Sequence, residues 1–174
     1  MDFFEAVDKR YSHKGKFLAD AVPLADLERI ADAGLKAPTG MNSQCVRLII
    51  LSGREAVSAL HDAAPVEALA SAPAAIAVLT DGSAQGSKVN FEVEDYAAAT
   101  ANMLLAAVAL GYVSLWLDSP YFGGERHGSA LSALGVPAGY QLRVVLPIGK
   151  PDGEGGRREK LSFGERVHYG RFGG

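Results

Sequence analysis

One cysteine stands among 174 residues, Cys45, so no intramolecular disulfide can form. A reducing, cytoplasmic setting is the expected one. The chain also lacks a surplus of positive charge: 17 Lys and Arg against 20 Asp and Glu leave a net charge of −3. That balance argues against wholesale nucleic-acid binding, which needs a basic face. No cationic segment precedes an apolar run near the N-terminus, so no signal peptide is expected. The longest apolar stretch, 97–110, contains Thr100 and Asn102 and falls short of the ~20 residues a membrane span requires. No membrane partner is expected.

Several common site motifs are missing too. No G-x-G-x-x-G follows a strand-like run, so the dinucleotide fingerprint is absent. The loop from Gly82 to Lys88 is one residue short of a phosphate-loop spacing. The four histidines, His13, His61, His127 and His168, are scattered, and one cysteine cannot build a structural zinc site, so no metal is expected. No G-x-S-x-G elbow offers a serine nucleophile.

What is present suffices for one domain over residues 1–174. Hydrophobic residues make up 48% of the chain, enough for a core, and the length suits a single unit of ~100–200 residues. Asp2 is placed to cap a first helix carrying Phe3, Phe4 and Val7 on one side and ending near Arg10. Pro23 and Pro38 bracket a second helix with Leu24, Leu27, Ile30 and Ala31 at helical spacing. Val46 to Leu51 reads as a buried strand, Arg54 to Asp62 as a weak helix, and Ala74 to Thr80 as a second strand. Residues 81–90 read as a loop. Phe91 to Leu110 reads as the longest helix, apolar nearly all round and therefore buried, with an alanine-rich middle that lets another backbone come close. Gly111 closes it. Val113 to Asp118 is expected as a third strand and Gln141 to Ile148 as a fourth, with a short helix near Ser129 to Leu134 between them. The order of helices and strands is not a clean βαβ repeat, so the fold class is α+β, one sheet covered by helices.

Three constellations could carry chemistry. Arg10, Ser12 and Lys14 alternate with Tyr11 and His13, and in an extended chain the first three share a side. Two cations and a hydroxyl suit a phosphate, which takes several charge-assisted hydrogen bonds; a solvated helix end is the plainer alternative. The run Pro38-Thr39-Gly40-Met41-Asn42-Ser43-Gln44 packs backbone N–H groups, hydroxyls and amides into a tight loop before a strand, either an ordinary turn or a binding loop. Arg157, Arg158 and Lys160 lie in a Gly-rich tail, either solvated or part of an anion site. Glu92, Glu94 and Asp95, at a helix start, are read as favouring the helix dipole.

The order of these segments resembles the nitroreductase family of FMN-dependent oxidoreductases over nearly the whole chain. The family's Arg-x-Ser-x-Arg/Lys stands here as Arg10-Tyr11-Ser12-His13-Lys14, followed by Phe17, Val22 and Pro23. Its Ala-Pro-Ser-x-x-Asn-x-Gln is matched by Ala37-Pro38-Thr39-Gly40-Met41-Asn42-Ser43-Gln44. Its central helix is similar to residues 94–107, with Leu110-Gly111 after it. Its C-terminal pattern resembles Val136-Pro137, Gly149-Lys150-Pro151, Arg158, Lys160 and Val167-His168.

The resemblance implies a three-layer fold with a central, mostly antiparallel sheet, in an obligate homodimer with FMN at the interface. It implies that Arg10, Ser12, Arg158 and Lys160 hold the phosphate and nearby ribityl oxygens, with Tyr11 beside them and Lys14 near the N1/O2 edge of the flavin. Pro38, Thr39 and Asn42 would come from the other subunit, Gln44 would also contact the cofactor, and Asp118 and Ser119 would lie beside the flavin N5. No catalytic side chain is expected, because the cofactor carries the reaction. The implied activity passes hydride from NAD(P)H through the flavin to a small acceptor, a nitro compound or quinone, in ping-pong order. Tyr121, Phe122, Tyr96 and Phe91 are candidates for shaping the pocket, with plain core packing as the alternative. Two departures stand out. Cys45 and Val46 replace the Pro-Trp that follows the glutamine in many members, and Pro65 to Ala72 offers no cation where larger members have one. A flavin carrier or sensor without turnover, or another flavin chemistry such as dehalogenation, is the alternative function.

Overall fold

The computed structural model describes residues 1–82, 89–118 and 124–173. Ser119, Tyr121, Phe122 and most of the 81–90 loop lie outside the described residues. The elements run α1 (Phe3–Lys9), α2 (Leu24–Leu35), β1 (Val46–Ser52), α3 (Arg54–Ala63), β2 (Ala74–Thr80), α4 (Glu92–Ala109), β3 (Val113–Ser114), α5 (Gly124–Ala133), β4 (Gln141–Gly149) and α6 (Phe163–Arg166), with 3-10 turns at Gly40–Asn42 and Glu67–Leu69.

The strands form one antiparallel sheet in the order β1-β2-β4-β3. Period-two alternation explains why both its faces are dry. Ala74, Ile76 and Val78 of β2 and Val144, Leu146 and Ile148 of β4 point to one side, where α2 and α4 supply Leu27, Ile30, Ala99 and Met103. Ala75, Ala77 and Leu79, with Leu142 and Val145, point to the other, where α3 and α5 supply Val57, Leu60 and Ala130. The molecule is therefore three-layered, as the family resemblance implies. Each fully buried Leu, Ile or Val adds roughly 1.5–3 kcal/mol of apolar transfer free energy. α2 and α4 approach closely because Gly34 faces Met103: a Cβ on Gly34 would sit 2.7 Å from the Met103 Cγ.

The side of α1 that carries Phe3, Phe4 and Val7 faces water, at 64%, 77% and 37% exposure, while Ala6 is buried. Three expectations need correction. β1 is the sheet edge and is only half-buried over Leu48 to Ile50, since it has a neighbour on one side alone. α4 is buried over much of its surface, but Val93, Ala101 and Ala109 form an exposed stripe with half-buried Ala97 and Leu105. Finally, β3 stops at Ser114, and pairing resumes only at Leu117, opposite Val145. The register has not changed, since Val113 faces Gly149 and Leu117 faces Val145. Leu115 would be the next residue to exchange both ladder bonds, and its partner in that register is Pro147, which has no N–H to give. A proline fits within β4 because its missing donor points at this break.

Candidate functional site

The segment after α1 is built as alternation predicts. Tyr11 is half-buried and His13 and Phe17 are buried, while Ser12 and Lys14 face outward and Arg10 is half-exposed. The inward rings touch edge to face, His13 to Tyr11 at 6.0 Å and His13 to Phe17 at 4.9 Å between centroids. Backbone bonds stitch the segment to the sheet: the His13 N–H donates to the Ser114 carbonyl at 3.0 Å, and Ser12 forms a parallel bridge with Ser114. Ser114 Oγ is buried and is the one such side-chain oxygen without a hydrogen-bond partner among the described residues.

The tail returns to the same place. The Leu18 N–H donates to the Lys150 carbonyl at 2.9 Å, and the Asp152 N–H donates to the Lys16 carbonyl at 2.8 Å. Gly155 then crosses the Tyr11 ring so closely that a Cβ there would lie 2.4 Å from Tyr11 Cε2. Arg157 ties the tail to α1, donating to the Val7 carbonyl at 3.0 Å and lying 3.7 Å from the Asp8 carboxylate.

These contacts create a cleft of ≈ 400 Å³ whose walls include Arg10, Ser12, Lys14, Arg158 and Lys160, together with Tyr11, His13 and Glu154. Among the described residues Arg10, Lys14, Arg158 and Lys160 form no ion pair, whereas Arg157 does. Four cations without ion pairs, against the single carboxylate of Glu154, give the cleft a surplus of positive charge that suits a polyanion. Both ends of the chain contribute, as the resemblance implies.

The second predicted group lies elsewhere. Thr39, Asn42 and Gln44 line a separate hollow of ≈ 520 Å³ with Arg47, Leu48 and Ala99, and Pro38 stands exposed at the head of that turn. The turn is strained: Met41, Asn42 and Gln44 have φ of 53°, 56° and 49°, a region that residues other than glycine rarely occupy. Asp95 holds it. This carboxylate, 2% exposed, accepts from the Gly40 N–H at 2.7 Å, Ser43 Oγ at 2.6 Å and Cys45 Sγ at 3.5 Å. Burial pushes the Cys45 thiol above its ordinary pKa, and the neighbouring Asp95 adds to this, so the thiol stays protonated and unreactive. Gly40 also lies under Phe91, where a Cβ would come within 2.2 Å of the ring.

The acidic trio on α4 therefore divides. Glu94 is exposed and free to favour the helix dipole, while Asp95 and Glu92 are anchors. Glu92 accepts from Thr80 Oγ1 and pairs with Arg143 at 2.5 Å, and the same guanidinium stacks 5.8 Å from the Tyr96 ring centroid. Tyr96 thus belongs to the core rather than to a pocket. Asp118 follows Leu117 beyond the end of β3. Near Pro65 to Ala72, the Arg54 guanidinium donates to the carbonyls of Leu69, Ala70 and Ala72 and so stiffens that loop. Composition hid Asp95 and Gly155 alike, because their roles come from residues far away in the chain.

Among the described residues no helix is long and apolar enough to cross a membrane, and no group of three or more His, Cys, Asp or Glu could hold a metal ion. The sequence profile of the nitroreductase family matches residues 7–75 and 54–150. A protein of Archaeoglobus fulgidus named as an NADH dehydrogenase/NAD(P)H nitroreductase is 34% identical over 130 residues, 74% of each chain. One of the same name from Methanothermobacter thermautotrophicus is 29% identical over 174 residues, 99% of this chain and 88% of that one. A solved structure from Desulfovibrio desulfuricans, named as a nitroreductase in complex with FMN, superposes with a TM-score of 0.80 at 25% identity over 96% of this chain and 95% of that one. This chain belongs to the nitroreductase family.

Proposed function

We propose that the cation cleft holds the phosphate and ribityl chain of FMN and that the chain is an FMN-dependent NAD(P)H oxidoreductase. The observation that carries this reading is the convergence of Arg10, Lys14, Arg158 and Lys160, none of them in an ion pair among the described residues, in one cleft of ≈ 400 Å³ where Glu154 is the one carboxylate of the lining. The donor set fits the group: guanidinium and ammonium for a phosphate, Ser12 for a hydroxyl-bearing chain, and a glycine at 155 that lets the backbone close over Tyr11. Bound FMN supplies hydride transfer between a nicotinamide donor and a small acceptor such as a nitro compound or quinone. The protein binds, orients and lends positive charge. Lys14 favours any negative charge that accumulates on the held group. Donor and acceptor using one exposed face in turn gives ping-pong order.

Thr39, Asn42 and Gln44 complete the site in this reading, and they are supplied by a second copy. Their hollow is distinct from the cation cleft of the same chain, so one chain offers two halves of different sites. Pro38, Asp118 and Ser119 belong to the same proposal, as neighbours of the ring.

The test is spectroscopic. The purified protein, reconstituted with FMN, should show flavin absorbance that bleaches on anaerobic addition of NADH or NADPH and returns on addition of a quinone. Arg10→Ala should weaken FMN binding by roughly tenfold or more, as loss of a charge-assisted hydrogen bond does, whereas exposed Arg126→Ala on α5 should not. Bound flavin that neither nucleotide reduces would leave a carrier or sensor. Failure to bind FMN at all would end the flavin reading.

A further inference from the structure

His13 is the one buried ionisable side chain in the wall of the cleft, with an exposure of 2%. Its ring is wedged between Tyr11 and Phe17, and Gly15 packs on it so tightly that a Cβ would meet Cε1 at 3.1 Å. Its Nε2 lies 2.8 Å from the Lys16 carbonyl oxygen. A carbonyl can only accept, so Nε2 carries the hydrogen and donates. That bond closes a four-residue turn over Lys14 and Gly15. The same Lys16 oxygen also accepts from the Asp152 N–H at 2.8 Å, and Asp152 begins the tail that brings Arg158 and Lys160 to the cleft. One carbonyl thus joins the N-terminal wall of the cleft to the C-terminal wall, and the imidazole fixes where that carbonyl points.

We infer that His13 is a positioning residue that locks the two cationic walls of the cleft together through the Lys16 carbonyl. The inference rests on the FMN reading above for its ligand, but its geometry is this chain's own. An apolar side chain at 13 would fill the aromatic wedge equally well. What it would lack is the donor, so the Lys16 carbonyl would be held by the Asp152 N–H alone and the two pairs of cations would be less firmly spaced. A polyanion bound by all of them would feel that loss, and one bound by a single wall would not.

His13→Phe keeps the edge-to-face packing and removes the donor, while His13→Gln places an amide N–H near the Nε2 position. FMN affinity, read by quenching of flavin fluorescence, should fall about tenfold in His13→Phe, as for one lost bond near a charged site, and stay within about twofold of the parent in His13→Gln. A double-mutant cycle isolates the mechanism. In an Arg158→Ala background, with the tail wall already weakened, His13→Phe should cost less than in the parent. His13→Leu carries the same expectations should the Phe variant fail to fold. Equal affinities for the Phe and Gln variants, or strictly additive losses with Arg158→Ala, would overturn the positioning role. A parent protein that binds no FMN would instead strike at the function proposed above and leave this geometry to be tested with inorganic pyrophosphate as the probe.

Discussion

Glu92 shows how much work a single buried carboxylate does beside the site. Burial alone would raise its pKa, but donation from Thr80 and Arg143 and the Arg143 charge outweigh that, so the group is held below its ordinary value of 4.5. The sign follows from linkage. A carboxylate with a depressed folded pKa contributes stability that is complete above its unfolded pKa and is lost as the pH falls through the folded one. Glu92→Gln should therefore be less stable than the parent at neutral pH and lose less on acidification below about pH 4.5. Urea midpoints measured from neutral to acid pH would read this directly, and parallel curves for the two proteins would rule out Glu92 as the source of the acid limb. Asp95 is a second buried carboxylate, and its work is to hold a turn. Three donors on the 40–45 turn converge on it, which is how left-handed Met41, Asn42 and Gln44 are tolerated in one short stretch.

Among elements, the central strands were the most legible. β2 spans Ala74 to Thr80 as its apolar run foretold, because a strand buried on both faces is apolar from Ala74 to Leu79 and meets its first polar residue at its last position, Thr80. β3 was overread because the obstacle lies in another strand: nothing between Val113 and Asp118 reveals that Pro147 stands opposite Leu115. The cation cleft was half-legible. Its residue types and order could be read, but the contact that shapes it, Gly155 on the Tyr11 ring, joins residues far apart in sequence. The Asp95 anchor was missed for the same reason, since Gly40 lies 55 residues away. The Gly155 contact yields a prediction at this scale. Gly155→Ala forces either the ring to swing or the tail to lift, and Arg158 and Lys160 then move away from Arg10 and Lys14. FMN affinity should drop severalfold while the far-UV circular dichroism spectrum and thermal midpoint stay near those of the parent, since residues 152–167 lie outside the core. Unchanged affinity would mean that the tail is not held by this approach.

At the scale of the whole molecule, the single chain leaves large apolar side chains bare. Phe4, Phe163, Tyr169 and Phe172 stand 77%, 70%, 75% and 91% exposed, on the first helix and along the tail, and α4 shows water an apolar stripe. Scattered apolar residues are normal on a surface, but aromatic rings left this bare at both ends of a chain suit burial against a partner. A second copy is the partner that would also bring Thr39, Asn42 and Gln44 to the flavin. Light scattering should therefore read about twice the 18.2 kDa chain mass. Placing charges in the contact, as Phe163→Asp with Phe172→Asp, should shift it toward a monomer, because an unpaired charge is costly to bury. The discriminating result is flavin binding by that variant. Its own cleft keeps Arg10, Ser12, Lys14, Arg158 and Lys160, so a site complete within one chain would retain FMN. A site shared between two chains would lose it together with the dimer, and FMN affinity should then rise with protein concentration as the dimer re-forms. Tight, concentration-independent FMN binding by a monomer would show that Asn42 and Gln44 do not serve the neighbour's flavin.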